Sequence, residues 1–310
     1  MSGAFGLLMV AIATEVAATA SLSRTEGFRN PLWTALVVAE SALNVACVGA
    51  TPVAVVNCLN FGNPEHPEVM WQLSEAIDGM SEACRALSLP VIGGNVSLYN
   101  ESRGRDIDPT PVVGTLGLVD RLERPPAGAR LHPGGRIVLV GASEVSLAGS
   151  RWAAQLRGHR GGMLPPLDLR LHSRLLQFVA GLVSDLVSGQ ASGLTLHGVH
   201  DVSDGGVGVA LTEMAVRGDV GFTIGQIADH VGRFGEGPSR VLFCVEPSDV
   251  PGLINRAEAA GLASVVLGEA GGDRLVVEGL LDVSLVDAHS RWSGELPGAL
   301  AGGPVLEAAP

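Results

Sequence analysis

Aromatic residues are scarce in this 310-residue chain, 4% in all with a single tyrosine, which excludes a core of stacked rings and leaves packing to Val, Leu and Ala. Positive charge is short as well: 20 Lys and Arg stand against 32 Asp and Glu, a formal net charge of -12. Such a chain repels a phosphate backbone and has no basic footprint for nucleic acid. An anionic ligand has to be met locally, by backbone N–H groups, an isolated Arg or a bridging Mg²⁺. Cysteine is limited to Cys47, Cys58, Cys84 and Cys244, with no C-x-x-C pair. That excludes a disulfide framework and reads as reduced, mostly buried thiols of a cytosolic protein. No apolar run is long enough and free enough of charge to span a membrane. The run from Leu7 to Ala13 lacks a preceding Lys or Arg and soon meets Glu15, so it reads as a buried strand rather than a signal peptide. Absent too are a Walker A lysine motif, a G-x-S-x-G elbow and a dinucleotide fingerprint followed by an acidic residue.

What is present is 46% apolar and 17% charged, the composition of a soluble globular protein, with 42 Gly and 18 Pro for many tight turns. The length suits two ordinary domains. Apolar periodicity predicts strands over residues 7–22 and 52–56, with a helix over 32–48 between them that Gly49 stops. It continues with a helix over 68–87, its buried stripe Val69, Leu73, Ile77, Met80 and Cys84, and a strand over 112–119. Residues 103–108 read as a mobile charged loop. Residues 122–133, rich in proline and arginine, read as a linker, dividing the chain into 1–121 and 122–310. Beyond it come strands over 136–140, 194–199, 241–245, 264–269 and 274–278. Helices over 171–188, 207–215 and 250–260 are set among them, and a frayed tail follows Leu296. Helices and strands interleave throughout, giving an α/β or α+β fold with polar loops at strand ends.

Three polar stretches carry chemistry. In residues 90–101 an apolar strand runs into Gly93 and Gly94, which let the backbone turn sharply and approach a ligand. Asn95, Ser97, Tyr99 and Asn100 then supply amides and hydroxyls suited to phosphate, Mg²⁺ or a polar substrate, and Glu101 adds a carboxylate. Residues 57–64 form an equally amide-rich loop. If the preceding strands are neighbours, Asn57, Asn60, Asn63, Gly94, Asn95 and Ser97 open on one edge as a nucleotide or metal pocket; the competing reading is asparagine serving only turns. The second stretch is HDVSDGG, where Asp201 and Asp204 at a strand-to-helix junction suit Mg²⁺ and the helix N-terminus suits phosphate. Its competing reading is an N-cap by Ser203 or Asp204, with His200 a hydrogen-bonded structural residue. The third is FGEGPSR, with Arg240 either a phosphate or carboxylate clamp or a surface arginine on a plain loop.

Taken together, VNCLNFGNPEHPEVMWQ, PVIGGNVSLYNE, PTPVVGTLGLV, HDVSDGG and FGEGPSRVLF, in this order and spacing, resemble the C-terminal half of the phosphoribosylformylglycinamidine synthase family over about residues 32–297. The resemblance implies a PurM-like fold, in which an N-terminal α/β domain that builds a shared β-barrel precedes a C-terminal α/β sandwich domain. It implies an ATP- and Mg²⁺-dependent carbon–nitrogen ligase of purine biosynthesis. There the formyl amide oxygen of formylglycinamide ribonucleotide is activated, and ammonia from a glutaminase displaces phosphate to leave the amidine. By position it makes Asn57 and Gly94 ATP contacts, Asn95 a Mg²⁺ ligand and Ser97 a substrate contact. Asp201, Asp204 and Arg240 would serve an auxiliary nucleotide or metal site in the second domain.

The catalytic histidine of that family and its purine-binding residues belong to the first half. The expectation is therefore a cytoplasmic half-enzyme, inactive in isolation, that works with a separate N-terminal half, a PurQ-type glutaminase and a small PurS-type subunit. Residues 17–27 are mostly small where the family carries an Asp/Asn/Arg-rich strand, and Ala42-Leu43-Asn44 stands where it has Arg before Asn. Two alternatives stay open: a standalone homodimeric PurM-like synthetase or kinase, and a non-catalytic nucleotide-binding remnant.

Overall fold

The computed structural model describes residues 8–12, 32–159, 161–162, 165–190, 193–225, 227 and 229–301. The first helix, α1 (Leu32–Cys47), is the element around which the rest packs. Ala35, Val38, Ala39, Ala42, Leu43, Val45 and Ala46 form one broad buried face, widened on its flanks by buried Thr34, Ser41 and Cys47. A buried face that wide marks an interior helix, with Glu40 and Asn44 on the narrow remaining side. Its small residues allow close approach on each side. Gly117 of the facing strand leaves room for Val45, which a side chain there would strike, and Ser41 Oγ donates to Thr115 Oγ1 at 2.8 Å. Gly49, at φ +80°, ends the turn after the helix as the sequence predicts.

One side of α1 meets a four-stranded sheet in the order β1 (Leu8–Ile12), β6 (Thr110–Val119), β2 (Thr51–Asn60), β3 (Val91–Ser97). All pairs are antiparallel except β2 with β3, which is parallel and leaves β3 as an edge. The expected opening strand beyond Ile12 lies outside the described residues. Helix α2 (Pro67–Leu87) makes the crossover between β2 and β3. It buries Val69, Leu73, Ala76, Gly79, Met80, Ala83 and Cys84. Ile77, expected in that stripe, is instead 41% exposed. The small residues Ala76, Gly79 and Ala83 take the inner face because the helix lies close against its neighbours. Residues 103–108 are also not the free loop that their charges suggest. A two-stranded hairpin, β4 (Glu101–Ser102) with β5 (Arg105–Asp106), turns at Arg103 and Gly104, both at positive φ.

The other side of α1 meets helix α4 (Leu169–Val187) and strand β8 (Leu196–Asp201), preceded by the short helix α3 (Arg151–Arg157). Strand β8 edges a seven-stranded sheet that continues through β10 (Arg240–Val245), β7 (Arg136–Gly141), β11 (Ser264–Ala270), β9 (Phe222–Ile224), β12 (Arg274–Val277) and β13 (Leu281–Ser284). Successive residues of β10 are shared between two cores, as the two-residue period of a strand requires. Val241, Phe243 and Val245 join α1, α2, α4 and Leu253 of α7 (Val250–Ala259). Leu242 and Cys244 face α5 (Gly206–Gly218) and Leu285 and Ala288 of α8 (Leu285–Leu300). A strand covered on both faces is apolar throughout, which is why RVLFCV shows no polar alternation. The sequence reading missed α3, β9, β13, α8 and the five-residue α6 (His230–Phe234). It placed fraying after Leu296, yet α8 runs on through Pro297 to Leu300. Among the described residues no helix is long and apolar enough to cross a membrane.

Candidate functional site

The amide-rich stretches do come together, as the sequence suggests, but as paired strands. Asn57, Cys58 and Asn60 belong to β2, and Gly93 and Gly94 sit inside β3, with register pairs Asn57↔Gly94, Cys58↔Asn95 and Asn60↔Ser97. The expected loop over 57–64 and sharp turn at Gly93-Gly94 are therefore corrected. Asn and Gly have poor strand propensity, but β2 is held by ladders on both sides, and such context outweighs propensity. Alternation then divides the predicted pocket between the two faces of the sheet. Asn57 turns toward α2, its Nδ2 3.5 Å from Met80 Sδ. Gly94 faces it: a Cβ there would lie 2.9 Å from Asn57 Cγ, so this glycine makes room for the asparagine. Asn95 lies on the opposite face, its Nδ2 3.8 Å from Cys58 Sγ. Because β3 is an edge strand whose residues 91–96 are all exposed, one ligand can reach both faces by passing around that edge.

Beyond the strand ends the two chains are laced together. Phe61 N donates to Ser97 O, Asn100 N to Phe61 O and Tyr99 N to Gly62 O, at 2.8 to 3.2 Å. Asp106 of β5 then ties the hairpin to this loop, accepting from Asn63 N and pairing with His66 Nδ1, both at 2.7 Å. The Asn63 N–H first, and the His66 ring second, hold the Asp106 carboxyl below its usual range. Asn63 thus anchors the loop, its backbone N–H to Asp106 and its side-chain oxygen accepting from Glu65 N.

A second cluster lies where α1 meets the β8–α5 turn, around a narrow cavity of about 70 Å³. Glu40 lines it, and Asn44, four residues on and so on the same face of α1, reaches Asp201 beside it. Glu40 is pushed up to about 8, by burial first and then by the charges of Asp201, Asp204 and Glu236, against a hydrogen bond with Ser203. Asp201, only 8% exposed, accepts from the Asn44 amide nitrogen at 2.7 and 3.0 Å with that amide turned toward it. His200 Nδ1 lies 3.1 Å from Asp201, and its Nε2 lies 2.8 Å from Glu213. Burial disfavours the His200 charge, but these two carboxylates outweigh it and raise the ring to about 9. Both ring nitrogens are thus engaged by carboxylates of the chain.

Asp204 is turned away from Asp201 and pairs with Arg151 Nε at 2.6 Å. Neither it nor Ser203 caps the following helix. The N-cap is Gly205, at φ +77°, and Glu236 caps from outside by accepting from Gly205 N at 2.8 Å and Arg151 N at 2.7 Å. Arg240 is not the expected surface arginine. It is 2% exposed and donates to the carbonyls of Gly237 and Gly235 at 3.2 and 3.1 Å. Burial, opposed by Glu236, lowers it to about 10. His172, held near 4 by burial, joins Ser239 Oγ and Ala39 O at 2.9 Å each, fastening this loop to α1.

Carboxylate and hydroxyl oxygens are the right donors for Mg²⁺, and the crowding that raises Glu40 is what a cation relieves. Their partners, however, draw them apart: among the described residues no group of three or more His, Cys, Asp or Glu is placed to hold a metal ion. Sequence reading missed Glu40, Asn44, Arg151, Glu213 and Glu236. A lone acid within the apolar run of α1 was the one signal that could have exposed Glu40.

These shifts fix a pH dependence. Between 6.5 and about 9 the folded chain keeps a proton on His200 that the unfolded chain loses, and between 4.5 and about 8 the same holds for Glu40. Stability from both is complete at low pH and falls as pH rises through those windows, at up to about 1.4 kcal/mol per pKa unit. His172 acts oppositely, adding stability as pH rises from about 4 to 6.5. The thermal midpoint should therefore decline steadily from pH 6.5 to 9. A flat profile over that range would refute the cluster's protonation pattern.

Comparison with known proteins accounts for most of the chain. The protein-family model described as "AIR synthase related protein, N-terminal domain" matches residues 8–119, and its C-terminal counterpart matches residues 132–279. Phosphoribosylformylglycinamidine synthase subunit PurL of a Nocardioides species is 42% identical over 270 residues, covering 86% of this chain and 34% of the relative. The Thermomicrobium roseum protein of the same name is 43% identical, with 84% and 36% covered. The chain thus spans about a third of the length of the curated relatives it matches. Among solved structures, Thermotoga maritima PurL complexed with FGAR superposes with TM-score 0.65 at 16% identity, covering 91% of this chain and 45% of that one. Hydrogenase maturation protein HypE superposes with TM-score 0.64 at 14% identity, covering 92% and 89%. At those identities the structures support the fold alone.

Proposed function

This chain belongs to the AIR synthase related protein family, and on that premise we propose that it is the C-terminal half of a phosphoribosylformylglycinamidine synthase. The observation that carries this reading is the β2–β3 edge. Gly94, Asn95 and Ser97 lie there on the edge strand β3, with Asn57 beside them on β2, next to apolar side chains left exposed among the described residues. Val56 is 44% exposed and Val112 38% on the Asn95 side of the sheet, and Val96 of the edge strand is 55% exposed on the other side. A second sheet from an N-terminal half would cover the Asn95 side, close the barrel and complete the site. The domain boundary in this reading falls at residues 121/122. ATP contacts Asn57 and Gly94, the ribonucleotide contacts Ser97, and Asn95 faces Mg²⁺. That ion would neutralise phosphate charge, which suits a chain poor in basic groups. The pocket around Asp201, whose acidic groups among the described residues are not gathered to hold a metal, is the auxiliary nucleotide site. Asp204 and Arg240 belong to it through the pairs and carbonyls they hold. A glutaminase and a small PurS-type subunit supply ammonia, and the assembly is cytoplasmic.

A second reading has a specific observation behind it. Two such domains make up nearly the whole HypE chain, so the same unit can form a complete chain, and a self-paired synthetase or kinase would cover the open face with a second copy. One experiment separates these. Mg·ATP binding and amidine formation are measured for the chain alone, for the chain with a separate N-terminal half, and for Asn95→Ala and Asp201→Ala variants. The half-enzyme reading expects turnover only in the mixed assembly, lost at least 100-fold in Asn95→Ala. Turnover by the chain alone as a dimer favours the second reading. Nucleotide binding without turnover in any pairing leaves a binding remnant.

A further inference from the structure

Five residues other than glycine adopt positive φ among those described, and four of them have a structural reason. Ser88 and Asp219 close helix C-termini. Arg103 turns the β4–β5 hairpin. Ser239 is buried and bonded to His172. Tyr99, at φ +60°, has none of these. Its backbone conformation is the one Gly or Asn takes at least cost, and its ring adds nothing to the core, being 59% exposed. The backbone is held in place by Tyr99 N donating to Gly62 O at 2.8 Å and by its neighbour Asn100 N donating to Phe61 O. Among the described residues the phenol has one long contact, 3.5 Å to Glu65 on the exposed loop. Strain kept at an exposed position, beside a polar edge, points to a role outside packing.

We propose that Tyr99 is a substrate-contacting residue that orients the ribonucleotide bound at Ser97. The inference rests on the half-enzyme reading above and adds a residue to it. Position decides which ligand is met. Tyr99 continues the chain two residues past Ser97, at the end of β3, whereas Gly94 and its partner Asn57 lie further back along the strands. Tyr99 thus stands at the ribonucleotide end of the edge, farther along the chain from the ATP contacts, with its ring exposed. A phenol there offers an apolar face to a sugar and a hydroxyl to an amide or phosphate oxygen.

Because this is the only tyrosine of the chain, 3-fluorotyrosine labelling places a single ¹⁹F probe at position 99. The labelled chain, assembled with an unlabelled N-terminal half, is titrated with formylglycinamide ribonucleotide and separately with Mg·ATP. The ribonucleotide should shift the resonance saturably, and Mg·ATP should leave it in place. In parallel, kcat, KM and the thermal midpoint are compared for wild type, Tyr99→Phe and Tyr99→Gly. Glycine relieves the left-handed backbone, so the midpoint should hold or rise while KM for the ribonucleotide increases at least tenfold and KM for ATP stays within twofold. Tyr99→Phe, keeping the ring, should fall between the two. An unmoved resonance, or a ribonucleotide KM within twofold of wild type in Tyr99→Gly, overturns the inference. So does a rise in both KM values together with a lowered midpoint, which marks a merely structural residue. A ribonucleotide-induced shift in an assembly that never turns over keeps the contact and sinks the half-enzyme reading; neither shift nor turnover sinks both.

Discussion

Asp201→Ala is expected to destabilise the folded chain by about 3–5 kcal/mol, the range for removing one partner of a buried charge network. Asp201 is nearly inaccessible, and Asn44 and His200 both depend on it. Without it the Asn44 amide nitrogen faces no acceptor, and the His200 ring keeps only Glu213. The loss should be visible beyond stability. His200 would titrate closer to the ordinary histidine range, because one of the two carboxylates that raise it is gone. Glu40 would come down from about 8, since Asp201 is the first of the charges crowding it. Chemical denaturation of wild type, Asp201→Ala and Asp201→Asn checks the first point, and NMR titration of the His200 ring the second. Asparagine keeps the shape and one acceptor, so it should recover part of the stability but not the raised pKa. An alanine variant within 1 kcal/mol of wild type, with His200 still charged at pH 8, would show that the network described here contributes little.

Arg240→Ala carries the second large effect, again about 3–5 kcal/mol, for a cation whose neighbours have no substitute for it. The guanidinium fork spans the carbonyls of Gly235 and Gly237 and so sets the shape of the loop between them. That loop carries Glu236, which caps α5 through Gly205 and α3 through Arg151. Loosening it should release both helix starts and widen the acidic pocket. Arg240→Lys, a point charge without the fork, should keep the charge yet lose one carbonyl, at a cost of about 1–2 kcal/mol. Hydrogen exchange reads the structural part: the amides of Gly205 and Arg151 should lose protection in Arg240→Ala while β12 and β13 keep theirs. Protection unchanged at those two amides would refute the coupling.

Much of the fold was legible in the sequence. The apolar spacing of α1, α2, α4 and α7 and the apolar runs of β7, β8, β10 and β11 are direct consequences of burying one face or two, so periodicity exposes them. Elements with weak local signals were not legible. The helices α3 and α6 are too short for a period, β9 is three residues long, and α8 carries a proline that local rules read as an end. The polar strand ends misled for a related reason. Asn57 to Asn60 and Gly93-Gly94 have the composition of turns, and only the partner strands, far away in sequence, make them ladder.

The same division runs through the candidate site. Residue types and order by themselves determined the two-part mixed α/β organisation, the family and the stretches that carry its chemistry, because each depends on local pattern or on a motif read along the chain. Tertiary structure alone decided what those residues face. It put Asn57 and Asn95 on opposite sides of one sheet, sent Asp204 to Arg151 instead of to Asp201, buried Arg240, and brought Glu40, Asn44 and Glu236 to the HDVSDGG turn. Side-chain direction, burial and charge coupling depend on residues tens to hundreds of positions apart. No local pattern records where folding will place them.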